Sequence, residues 1–112
     1  MALIYHIVPR TTWFDESDPI WYRGDTLERE GFIHFSTGSQ VLATADRYYH
    51  GVSGMVLLEV DEAALVSPLR YEEAPGGESY PHLYGPLNRD AVYRVYTFEP
   101  SSDGRFAFPA AS

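Results

Sequence analysis

Residues 54–60, GMVLLEV, are apolar almost without interruption. A short, continuous run of this kind fits a central strand buried on both faces. A second run, ALIYHIV at 2–8, stops at Pro9 and sets Leu3, Tyr5 and Ile7 against Ile4, His6 and Val8, which is the alternation of a strand. NRDAVYRVYTFE at 88–99 alternates most clearly, with Ala91, Tyr93, Val95 and Thr97 opposing Val92, Arg94, Tyr96 and Phe98. FIHFS at 32–36 reads as one further strand with Phe32, His34 and Ser36 on one face. VSPLRYE at 66–72 contains Pro68, which lacks a ladder donor and so predicts an edge strand.

Helical signals are fewer. SQVLATADRYYH at 39–50 places Val41, Leu42, Ala45, Tyr48 and Tyr49 on one stripe, as in a half-buried helix. Ser36 and Thr37 are its candidate N-caps, and Gly51 closes it. GDTLERE at 24–30 predicts a brief helix capped by Asp25 or Thr26, and DEAAL at 61–65 a single turn. EAPGGES at 73–79 is a loop, YPHLYGPL at 80–87 begins as extended chain, and GRFAF at 104–108 is expected to pair back as a strand. The fold class is therefore α+β, with five to seven short strands and one main helix. The 112 residues suffice for one core, so 1–112 is read as a single domain with a frayed tail at roughly 109–112.

Composition removes several chemistries. Cysteine is absent, which excludes disulfides, thiolate nucleophiles and cysteine-ligated metals. All 8 cations are arginine, so there is no Schiff-base lysine and no phosphate-loop lysine. The formal charge of −8 argues against a nucleic-acid partner. No apolar stretch is long enough for a membrane span, and MALIYHIVPR lacks the basic region of a signal peptide. A cytoplasmic protein is the expectation.

Histidine carries the remaining signal. His50 lies at a helix end, where a cation suits the dipole. His6 and His34 lie in strands, and His82 lies in a Pro- and Tyr-rich segment. An unpaired buried polar group costs about 1–3 kcal/mol, so three such residues in one small core predict a shared, purposeful cleft. A histidine-based metal site is the competing account, but no HxH or HExxH pattern is present. Ser36 lacks the glycine-flanked elbow of a nucleophile. Tyr22, Tyr80 and Tyr84 are placed to stack on a planar ligand, while Glu72, Glu73 and Glu78 include no residue that spacing singles out as an acid or base.

YHIV at 5–8, EGFIHFST at 30–37, ATADRYYHG at 43–51, VLLEVD at 56–61 and YPHLYGPLNRDAV at 80–92 together resemble an uncharacterised bacterial and plant family, domain of unknown function nine hundred and fifty-two. The resemblance runs over essentially the whole chain and implies an ADP-ribosyltransferase-like fold of small, strongly bent antiparallel or mixed sheets. It also implies a ribose-binding role for His6 and a second-strand element at His34, Ser36 and Thr37. His82 then stands where an acid is usual. A neutral imidazole stabilises an oxocarbenium-like ribose less well than a carboxylate does, so ordinary protein ADP-ribosylation is not expected.

The resulting expectation is a pocket lined by His6, His34, Ser36, His82 and Tyr84. Its small-molecule ligand is NAD or an ADP-ribose-like nucleotide. His6, His34 and His82 are the candidate catalytic residues, with His34 or His82 as general acid/base. Ser36, Thr37, Tyr22, Tyr84 and Arg47 are the candidate ligand-binding residues, Arg47 meeting a phosphate. The alternative is a non-catalytic ligand-sensing or accessory domain.

Overall fold

In a computed structural model describing residues 2–15 and 17–109, the apolar run becomes an inner strand of the largest sheet. In chain order the elements are β1 (Leu3–Pro9), α1 (Arg10–Trp13), β2 (Trp21–Tyr22), α2 (Thr26–Glu30), β3 (Ile33–His34) and β4 (Ser36–Thr37). There follow α3 (Val41–Tyr48), β5 (Met55–Asp61), β6 (Leu69–Glu73), β7 (Ser79–Leu83), β8 (Leu87–Asn88) and β9 (Val92–Phe98), with single 3-10 turns at Glu62–Ala64 and Arg89–Ala91. The strands form three sheets, ordered β4-β1-β5-β9, β3-β7-β6 and β2-β8, and all their pairings are antiparallel.

Both faces of β5 are covered, which accounts for its lack of polar alternation. Val56, Leu58 and Val60 join Ile4 and Val8 of β1 against Ile33, Phe35, Leu83 and Leu87, so the first core lies between the large sheet and the β3-β7-β6 sheet. Met55 and Leu57 face the other way, with Tyr5, Ile7 and Phe98, toward Val41 and Ala45 of α3 and Phe106 of the tail. Trp13 folds onto the first core rather than the surface. Arg89 holds the loop before β2 by donating to the carbonyls of Trp13, Asp15 and Asp18.

Several expectations are corrected. FIHFS is not one strand: β3 and β4 belong to different sheets, and the chain turns between them at Phe35, whose N–H donates to the Pro81 carbonyl. Ser36 and Thr37 do not cap α3. Gln40 holds that position, its Oε1 accepting from the Thr37 N–H and its Nε2 donating to the Ser79 carbonyl. Tyr48, placed on the buried stripe by its spacing, is 67% exposed. GRFAF is not a strand; Phe106 stacks on Phe98 and donates its N–H to Asp46. Of the tail expected to fray, residues 110–112 lie outside the described residues.

Candidate functional site: an imidazole–carboxylate cluster

β3 and β7 pair so that His34 stands opposite His82. Directly opposed residues of an antiparallel pair share a face, and the two rings meet edge-on with centroids 5.4 Å apart. Alternation along β7 sends Pro81 and Leu83 into the core and leaves His82 facing outward, its side chain 16% exposed. Phe32 lies flat against His82, with ring centroids 4.1 Å apart and planes inclined by 20°. It also touches His34 and Tyr84.

The hairpin joining β6 to β7 sets Arg70 opposite His82 and Glu72 opposite Tyr80. Glu72 is thus diagonal to His82 on the same face, and its Oε1 accepts from His82 Nδ1 at 2.8 Å and from the Tyr84 hydroxyl. These two hydrogen bonds, Tyr84 first, hold the Glu72 carboxyl below its ordinary value, and the Tyr84 phenol is raised in turn. An ionised carboxylate only accepts, so the neutral form of His82 carries its proton on Nδ1, and among the described residues no group hydrogen-bonds to Nε2. Arg70 lies over the Tyr84 ring at 5.3 Å, and Glu30 at the end of α2 meets His34 Nε2 at 3.2 Å. Tyr84 is fixed by its own N–H to the Pro68 carbonyl. The chain then turns at Gly85, where a Cβ would lie 2.5 Å from Ser67 Oγ, so only glycine fits.

His6 is placed differently. Its Nδ1–H donates to the main-chain carbonyl of His34 at 2.6 Å, and its Nε2 accepts from the Tyr22 hydroxyl at 2.9 Å. The ring packs on Phe35 and Tyr22. Burial drives its pKa down to about 4, against the opposing effect of the His34 carbonyl, so it is neutral at physiological pH. Both ring nitrogens of His6, expected to bind a ribose, are engaged within the protein, where they tie the first strand to β3.

The other expected residues do not join the cluster. Ser36 Oγ donates to Thr44 Oγ1, Thr37 Oγ1 bonds Ser39 Oγ, and Tyr22 is buried with His6. Arg47 is exposed, its guanidinium over the Tyr48 ring. A hollow of about 340 Å³ lies beside Tyr22, lined by residues including Thr12, Asp18, Trp21, Asp25 and Arg89. A second, of about 230 Å³, lies between Ile20, Trp21 and Val66. Neither is lined by a histidine, so the expected three-histidine pocket is not formed: His34 and His82 meet on an open sheet face, and His6 lies behind β3. Among the described residues no three His, Asp or Glu side chains are grouped to hold a metal ion, and no helix is long and apolar enough to cross a membrane.

Sequence reasoning passed over Phe32, Arg70 and Glu30 and left Glu72 unselected. The signal for Glu72 was present: a hairpin centred on the PGG turn places it on the face of His82.

Two solved structures of CC0527 from Caulobacter crescentus resemble this chain along nearly its whole length. The crystal structure is 34% identical and covers 94% of this chain and 93% of that one, with a TM-score of 0.85. The solution NMR structure is 35% identical and covers 94% and 91%, with a TM-score of 0.80. No curated protein matches the chain. The family model described as a protein of unknown function, DUF952, matches residues 7–95, and the chain belongs to that family.

Proposed function

We propose that the outer face of the β3-β7-β6 sheet binds a small nucleotide- or ADP-ribose-like ligand, with His82 as its general base. The ADP-ribosyltransferase-like fold that the family resemblance implies is part of this reading. The observation that carries it is the His82 Nδ1–Glu72 hydrogen bond, which orients the ring and leaves Nε2 bare beside an aromatic platform. A base aligned by a carboxylate is the arrangement that proton abstraction needs. Here Nε2 takes a proton from a ligand hydroxyl or an attacking water, and Glu72 stabilises the imidazolium that forms. Tyr84 and Phe32 offer ring surface for a planar base, and Arg70 supplies a positive charge for a phosphate. His34, across the strand pair, is the second acid/base candidate. His6 positions β3 from behind.

A second reading, a ligand-sensing domain without turnover, is supported by the openness of this face, which does not exclude water as acyl or glycosyl chemistry usually requires. One experiment separates the two. ADP-ribose and NAD at about millimolar concentration are expected to raise the melting temperature of the protein, and His82→Ala to abolish that shift. An enzyme also releases nicotinamide from NAD. Glu72→Gln, which keeps an acceptor for His82 but loses the charge, is then expected to retain the shift and lower turnover about tenfold or more. A melting temperature unmoved by either ligand overturns the proposal.

A further inference from the structure

We propose that β9 is a homodimerisation edge, pairing antiparallel with β9 of a second copy of this chain to continue the large sheet across a twofold axis. β9 is an outer strand of the β4-β1-β5-β9 sheet, seven residues long. Among the described residues, no main-chain hydrogen bond outside the pairing with β5 engages Tyr93–Phe98. Its outward row of N–H and C=O groups is therefore free to pair. Tyr93 is 51% and Val95 39% exposed although both are strong strand formers.

The other outer strands are protected in ways that β9 is not. β2, β3, β4 and β8 have two residues each, and β6 carries Arg70, Glu72 and Glu73. Short length and charge are the usual defences against edge pairing. In a chain of charge −8, Val92–Phe98 contains no acidic residue and one arginine, so a second copy can approach here without carboxylate repulsion.

The strand is also self-complementary. Pairing about Val95 uses all seven residues and sets Val92 opposite Phe98, Tyr93 opposite Thr97, and Arg94 opposite Tyr96. Each Arg94 then faces an aromatic ring rather than the partner's arginine, and Val95 faces its own counterpart. Aromatic, β-branched and cation–aromatic pairs across strands are each favourable. The contact is isologous and closes as a dimer.

Sedimentation of the full chain at about 100 µM is expected to give about twice the 12.7 kDa chain mass. Val95→Lys, which places two cations opposite each other on an exposed position, is expected to weaken self-association about tenfold or more. Val95→Thr retains it. Hydrogen exchange on the unaltered protein supplies an independent readout, since amides within Tyr93–Thr97 slow as concentration rises. A chain that stays monomeric at that concentration, or a folded Val95→Lys protein that dimerises undiminished, overturns the proposal.

Discussion

Replacing His6 by alanine is expected to lower the free energy of unfolding by about 2–4 kcal/mol, read from urea or thermal denaturation. The ring satisfies two groups at once, the His34 carbonyl and the Tyr22 hydroxyl, and its removal leaves both without a partner where the two larger sheets meet. The same residue makes stability depend on pH. Its folded-state pKa is about 4 against an ordinary 6.5, so the unfolded chain binds a proton that the folded chain refuses between those values. The stabilisation is complete above pH 6.5, falls as pH drops, and is gone below about 4. The loss is about 3 kcal/mol, at 1.36 kcal/mol for each pH unit separating the two values. His6→Ala is expected to flatten the pH 4–6.5 limb of the stability curve relative to the unaltered protein. An unchanged slope would show that another group carries it.

The second large effect is expected at Leu58. Leu58 is 0% exposed at the centre of β5 and lies in the first core with Ile4, Ile33, Phe35 and Leu83. Leu58→Ala removes packed methyl groups and leaves a cavity between sheets that cannot close on each other, costing about 3 kcal/mol within the usual range for such truncations. For a domain of this size the melting temperature falls by about 10–20 °C. Val66→Ala, at a residue 70% exposed, is expected to change stability by less than about 0.5 kcal/mol. Equal effects at the two positions would contradict the assignment of the core.

These residues also show what could be read before the fold was known. β1, β5 and β9 were legible because their period or their continuous apolarity is set by burial, and burial is what a hydrophobic pattern records. The separation of β3 from β4 was not, because the turn at Phe35 depends on a hydrogen bond to Pro81, 46 positions along the chain as the difference between 81 and 35. The helix cap was missed for a related reason, since Gln40 is held by Thr37 on one side and by Ser79 of a distant strand on the other. At the site, His34 and His82 stood out as polar residues in apolar chain, and their pairing across β3 and β7 follows from register. His6 carried the same signal for a different cause: its ring ties β1 to the backbone of β3, and alternation cannot distinguish a tie from a ligand-facing base. Glu72 sits among other acids, and its selection depends on which face the hairpin presents.

The His82 tautomer is the feature on which the functional reading depends most directly. Nitrogen-15 spectra of the imidazoles distinguish a protonated from a bare ring nitrogen. The expected spectrum shows His82 protonated at Nδ1 and bare at Nε2, with its Nε2 resonance and those of the His34 ring moving when ADP-ribose is added. A His82 protonated at Nε2 instead, or ligand-induced changes confined to the hollow around Trp21 and Asp25, would contradict it.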